Sequence, residues 1–88
     1  MNKDRRNQIA EVAAKLADLE ALRDEIKEAI ENIRDEEQEY FDNMPEGLQQ
    51  SDRGYAAEEA ISQLDEAVSA LEDLDTMGIA GNLEEAQA

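Results

Sequence analysis

The chain of 88 residues carries 24 Asp and Glu against 8 Lys and Arg, a formal net charge of -16, and it has no His, no Cys and no Trp. Disulfides, thiolate nucleophiles, Cys/His zinc sites and imidazole acid-base chemistry are therefore excluded by inventory, and most enzyme classes go with them. The length allows one small domain, whose six Ile, two Val and eight Leu make a core too small to carry a fold by burial alone, so helical hydrogen bonding and a second copy of the chain are expected to contribute.

Residues 2 to 44 contain neither Pro nor Gly. Within that span apolar side chains recur in steps of three and four, which is a heptad pattern. With Ile9 at position a, the a series runs Ile9, Leu16, Arg23, Ile30 and Glu37, and the d series runs Val12, Leu19, Ile26, Ile33 and Tyr40 without a polar break. The pattern predicts a first helix over about 3 to 42, about 60 Å long at 1.5 Å per residue. Asn43-Met44-Pro45-Glu46-Gly47 then ends it, because Pro45 disfavours helical geometry at Met44 and Gly47 permits a reversal.

Ser51 or Asp52 can cap the next segment. Ala57, Ile61, Leu64, Val68, Leu71 and Leu74 predict a second helix over about 52 to 76, folded back antiparallel on the first because the connection is short. Together, residues 1 to 76 read as a single helical-hairpin domain, and residues 77 to 88 as a short tail holding a turn and one loose helical turn. An overlap of about 25 residues covers Leu19 to Phe41 and leaves Ile9, Val12 and Leu16 without an internal partner. The expected fold is an all-α antiparallel helical hairpin or coiled coil that dimerises into a four-helix-type bundle. Its dimer seam is expected at Ile9, Val12, Leu16, Leu19 and Arg23. At the a position of that seam, Arg23 either snorkels to water or sits opposite a carboxylate and fixes register.

Charge is distributed unevenly. Residues 1 to 16 hold Lys3, Arg5, Arg6 and Lys15 against Asp4 and Glu11, whereas from Gly54 onward there is no basic residue at all. Cations at the start of the first helix, Asp35, Glu36, Glu37 and Glu39 at its end, and Glu72, Asp73 and Asp75 at the end of the second all oppose the helix macrodipole. Selection for something other than isolated helix stability accounts for such a pattern. Pairs such as Glu25/Glu28, Asp35/Glu39, Glu58/Glu59, Asp65/Glu66 and Glu72/Asp75 stand about 5 to 6 Å apart on helical faces, near the spacing of phosphates along one nucleic-acid strand. Rows of this kind suit a cationic groove that otherwise holds DNA or RNA. The plainer alternative is that they are solvated faces keeping a small coiled coil in solution. The candidate partner-binding residues are Asp35, Glu36, Glu39, Glu58, Glu59, Asp65, Glu66, Glu72, Asp73 and Asp75.

Three weaker patterns point elsewhere. Asp73 to Glu84 places acids at positions 1 and 3, Gly78 at 6 and Glu84 at 12, a partial calcium-loop match spoiled by Met77 at position 5 and by a chain too short for the exiting helix. Glu36-x-x-Glu39 with Glu72-x-x-Asp75 is similar to the carboxylate pattern with which all-α nucleotide pyrophosphohydrolases hold magnesium, but acids fill over a quarter of the chain and no cluster of bases is left for phosphates. The Arg5-Arg6 pair suits nucleic acid, yet the field of the whole molecule repels phosphate. The expectation is a chain with no catalytic residue, no metal or cofactor, no direct nucleic-acid binding and no membrane span. The Met1-Asn2-Lys3-Asp4 start leads into no apolar signal core, which points to the cytoplasm.

The tract Arg34 to Gly54, RDEEQEYFDNMPEGLQQSDRG, with Ala56 to Ile61 beyond it, resembles a segment of small acidic helical proteins encoded by tailed phages and prophages, and covers about a quarter of the chain. No site residue carries over from those proteins. The resemblance implies a context, because small phage accessory proteins often act on host machinery, including defence nucleases, and some anti-CRISPR inhibitors are acidic DNA mimics. The function this implies is a non-enzymatic phage-type accessory protein, anti-CRISPR-like or anti-restriction-like, acting in the host cytoplasm. Its acidic faces would occupy a basic nucleic-acid-binding site on a host or defence protein. The alternative is a coiled-coil adaptor whose stripe binds a partner helix. Within the same tract Tyr40, Phe41, Met44 and Leu48, joined by Tyr55, are expected to close the end of the bundle; left exposed, these aromatics would instead anchor a partner.

Overall fold

The computed structural model describes residues 1 to 87, and among them the only regular structure is helix: α1 (Lys3–Asp42), α2 (Glu46–Gln49), α3 (Asp52–Glu72) and α4 (Thr76–Gln87). No helix among the described residues is long and apolar enough to cross a membrane. The chain divides into two compact units, one of Ile26–Asp73 and one that joins Met1–Glu25 to the segment from Leu74 onward. A single hairpin domain with a loose tail was the expectation; instead the C-terminal segment is a 12-residue helix belonging to a unit of its own with the first part of α1.

Each helix limit has a local cause. The Asn2 side chain accepts a hydrogen bond from the Arg5 backbone N–H at 2.9 Å, satisfying one of the orphan donors of α1. At the other end Met44 N–H bonds back to the Phe41 carbonyl at 3.1 Å, tightening the last turn before Pro45, whose backbone is extended at φ -56 and ψ 146. The last turn of α1 holds no cation, but the Gln49 side chain donates to the same Phe41 carbonyl at 3.1 Å. An amide thus does part of the work that a Lys or Arg does at other helix ends.

The reversal does not use Gly47 as expected. No glycine has positive φ, and Gly47 lies inside α2 with open space where a Cβ would stand. Extended backbone at Pro45 and at Ser51 (φ -101, ψ 174) turns the chain instead, with the short α2 between them. Ser51 occupies the N-cap of α3, and its hydroxyl donates to the Leu48 carbonyl rather than accepting from the helix. The glycine this corner requires is Gly54, where a Cβ would stand 2.1 Å from the Gln49 carbonyl oxygen. Only hydrogen at that position lets α3 start against α2. Met44 and Ala57 are the buried apolar residues here; Phe41 is half-buried, while Tyr40, Leu48 and Tyr55 are exposed. The expected aromatic closure is therefore built from Met44, Ala57 and Phe41, with both tyrosines left outside.

In the unit of Ile26–Asp73, Arg34 pairs with Asp65 at 2.8 Å and Lys27 with Glu72 at 3.1 Å. The two pairs lie seven residues apart on each helix in opposite chain directions, so this part of α1 and α3 run antiparallel. In the other unit, Arg23 reaches the Leu74 carbonyl and the Thr76 hydroxyl, both at 3.4 Å, and Leu83 joins Ile9 and Val12 in lining an open groove of about 300 Å³. Helix α4 begins at Asp75, whose Oδ1 accepts from Gly78 N–H at 2.8 Å. A Cβ on Gly78 would stand 2.1 Å from Asp75 Oδ2, so the glycine makes room for the cap. Asp75 thus favours the dipole of the helix it starts, where the sequence had placed it against the dipole of the helix before.

The burial pattern along α1 departs from the heptad expectation. The half-buried positions are Ile9, Ala13, Leu16, Glu20, Arg23, Lys27, Ile30, Arg34, Glu37 and Phe41, with Gln38 beside them. In the heptad these are a and e, not a and d. The d series is exposed: Val12 50%, Leu19 45%, Ile26 49%, Ile33 53% and Tyr40 47%, with Leu22 at 53%. On the inward a/e face Arg34 and Lys27, both at e, meet acids of α3, and Arg23 at a meets acceptors at Leu74 and Thr76.

Candidate functional site

All ten carboxylates singled out in the sequence are exposed. Glu58, Asp65, Glu66 and Asp73 lie on one open face of α3, interleaved with Ile61, Ser62, Ser69 and Ala70. Rotation of 3.6 residues per turn brings them together: Glu58 to Asp65 and Glu66 to Asp73 are each two turns, about 10 Å along the axis. Among the described residues Glu58, Glu66 and Asp73 make no ion pair, so their charge is turned outward. Nearby Glu59 accepts a hydrogen bond from Gln63 at 3.1 Å, one turn on.

The remaining predicted residues have other occupations. Asp35 is held by Arg34 at 2.8 Å, the same guanidinium that pairs with Asp65. The Arg34 guanidinium titrates above its ordinary value, raised first by the hydrogen bond to Asp35 and then by that to Asp65. Glu72 is taken by Lys27, and Asp75 caps α4 in the other unit. Glu36 and Glu39 stand exposed near the end of α1, where Gln38 bonds to Asp42 across one turn at 3.0 Å. The strongest part of the acidic site is thus the row on α3.

The five residues expected at a dimer seam also separate. Ile9, Leu16 and Arg23 are half-buried within their own unit, whereas Val12 and Leu19 are exposed. The Arg23 side chain, 17% exposed, bonds Asp24 at 3.0 Å and lies 3.7 Å from Glu20 in addition to its contacts with Leu74 and Thr76. Its role is internal, which accounts for the buried Thr76 hydroxyl having a partner.

No group of three or more Asp and Glu among the described residues is arranged to hold a metal ion. The calcium-loop alternative fails on geometry, because Thr76–Gln87 is helix and the stretch from Asp73 to Glu84 is not a ligand loop. Sequence reasoning missed the positioning cations Lys27 and Arg34. A signal was present, since Arg23, Lys27 and Arg34 step by four and seven and therefore share one face of α1. No model of a protein family matches the chain, and no curated protein or solved structure matches it.

Proposed function

We propose that the protein is a non-enzymatic binding protein whose acidic faces occupy a basic, nucleic-acid-binding site on another protein, and that it acts as a dimer. The observation that carries this reading is the α3 row of Glu58, Asp65, Glu66 and Asp73, exposed and on a stretch of chain with no cation from Gly54 onward. Retaining so many like charges on a small fold costs stability through self-repulsion, which a solubilising role alone does not require. Lys27 and Arg34 pair with Glu72 and Asp65 of α3, while Glu58, Glu66 and Asp73 make no ion pair among the described residues and keep their charge outward. The phage-type setting, with a host or defence protein as target in the host cytoplasm, belongs to the same proposal and rests on the Arg34 to Gly54 tract.

A second reading, an adaptor that binds a helix through an apolar stripe, is favoured by the exposure of Tyr40, Ile33 and Ile26. Competition separates the two. A partner captured from host lysate is titrated with its own DNA or RNA and with this protein at low and high salt. Mimicry predicts mutual exclusion and an affinity that falls steeply with salt. A ternary complex, or binding indifferent to salt and to charge reversal of Asp65, Glu66 and Asp73, would establish the adaptor instead.

A further inference from the structure

The exposed d series of α1 is the largest feature the acidic row does not use. Within Met1–Glu25, Val12 and Leu19 are about half exposed, with Leu22 beside them; within Ile26–Asp73, so are Ile26, Ile33 and Tyr40. The only buried apolar residues among those described are Met44 and Ala57. The core of one copy is small, and a second copy would add to it by covering the exposed apolar side chains that recur along α1.

From this geometry we infer that α1 pairs antiparallel with α1 of a second copy through Val12, Leu19, Leu22, Ile26, Ile33 and Tyr40, with the two-fold axis near Leu22 and Arg23. The inference rests on the dimeric reading above and adds its face and its orientation. The d series is nearly palindromic about that point. Extended one heptad toward the N-terminus it reaches Arg5, so an antiparallel partner sets Leu19 beside Ile26, Val12 beside Ile33, and Arg5 beside Tyr40 of the other copy. The first two contacts are apolar on both sides. The third places a guanidinium against an exposed phenol ring, a favourable cation–π arrangement.

Charge chooses the orientation. The cations of α1 outside the fold's own ion pairs, Lys3, Arg5, Arg6 and Lys15, lie in its first third, and Asp35, Glu36, Glu37, Glu39 and Asp42 in its last. Antiparallel pairing sets the basic third of each copy against the acidic third of the other at both ends. Parallel pairing aligns cation with cation and acid with acid, and like charges across a helix pair are repulsive. The misplacement of charge relative to the helix dipole, unexplained within one chain, becomes complementarity between two. None of the α3 row residues Glu58, Asp65, Glu66 and Asp73 is among the seam residues.

The absence of Cys allows a direct test on the full chain. Sedimentation equilibrium first establishes whether the protein dimerises. Single substitutions Leu22→Cys, Val12→Cys and Ile33→Cys are then oxidised alone and as mixtures. The antiparallel arrangement predicts rapid self-cross-linking of Leu22→Cys, little for Val12→Cys or Ile33→Cys alone, and a mixed disulfide when these two are combined. Efficient self-cross-linking of Val12→Cys and Ile33→Cys separately would show parallel pairing and overturn the orientation while leaving the dimer standing. A dimer that forms no disulfide through any of the three would move the seam elsewhere and overturn the face. A monomer at all concentrations would remove both the inference and the dimeric part of the proposed function. It would leave the acidic row to be judged by the competition experiment.

Discussion

Two faces of α1 have opposite compositions and opposite fates. The a/e face carries Glu20, Arg23, Lys27, Arg34 and Glu37 among its apolar residues, yet it is the half-buried one. The d face is apolar from Val12 to Tyr40, yet it is half exposed along its length. Covering by a short helix of the same chain is therefore not decided by hydrophobicity alone. Three cations meet acceptors on the inward face, Arg34 with Asp65, Lys27 with Glu72 and Arg23 with Thr76, so the polar side chains there have partners within the chain. Such an arrangement sacrifices intrachain burial, and it is economical when the apolar face is committed to something outside the chain.

The largest effect that breaks this comparison is expected on the outer face. Ile33→Glu puts a charge into the apolar seam of both copies and should weaken self-association about 100-fold by sedimentation, the scale of losing a buried anchor on each side. Far-UV circular dichroism at a concentration where both proteins are monomeric should be unchanged, because Ile33 is more than half exposed on α1. If association is unaffected, the outer face is not the seam.

A smaller effect is expected where α3 is set on its course. Gly54→Ala brings a methyl group to the Gln49 carbonyl, and the clash should outweigh the helix propensity gained, lowering stability by about 1 to 3 kcal/mol in urea denaturation. Stabilisation would mean that the corner relaxes freely and does not position α3. Next in size, Asp75→Ala removes the cap of α4 and should cost about 1 kcal/mol, read as faster amide exchange at residues 76 to 87 with little change elsewhere.

Much of the fold was legible in the sequence, for reasons that differ from element to element. The extent of α1 follows from the breaker-free run and Pro45, and α3 starts just after Ser51 as the sequence suggests, although the Ser51 hydroxyl bonds Leu48 and does not cap the helix. By contrast, α4 was hidden because Gly78 and Gly81 read as breakers and the apolar steps appeared to run on to Leu74. Only the Asp75 to Gly78 hydrogen bond explains why a glycine there belongs to a helix. Which stripe of α1 would be covered was also hidden, since the d series is the more apolar of the two. The pairings on the covered face join residues more than thirty positions apart, such as Arg34 with Asp65. Of the candidate site, the individual carboxylates of α3 were legible, but the spacing suggested the pairs Glu58/Glu59, Asp65/Glu66 and Glu72/Asp75 and not the row of Glu58, Asp65, Glu66 and Asp73. The internal use of Asp35, Asp65, Glu72 and Asp75 was not, because a run of similar acids does not reveal which of them a cation will claim.

The smallest expected effect is on the inner face. Arg34→Gln removes an exposed pair of carboxylate contacts and should lower Tm slightly, by an amount that shrinks at about 1 M salt as screening removes it. The guanidinium value is raised in the folded chain, so its contribution is fully present below the ordinary arginine value and is lost only as pH rises through the raised one. The Tm difference between Arg34→Gln and the parent should therefore stay constant from neutral to mildly alkaline pH. A difference that grows with salt would contradict an electrostatic role.

The opposite fates of the two faces can be measured in one experiment, by thiol labelling of single-cysteine variants as protein concentration rises. Ile33→Cys reports the outer face of α1 and Ser69→Cys reports the acidic face of α3, which lies outside the proposed seam. The account predicts that labelling of Ile33→Cys slows as concentration increases through the micromolar range while Ser69→Cys reacts at a constant rate. Labelling of Ile33→Cys at one rate throughout, or protection of Ser69→Cys in its place, would contradict the assignment of the apolar face to a second copy and the acidic face to other partners.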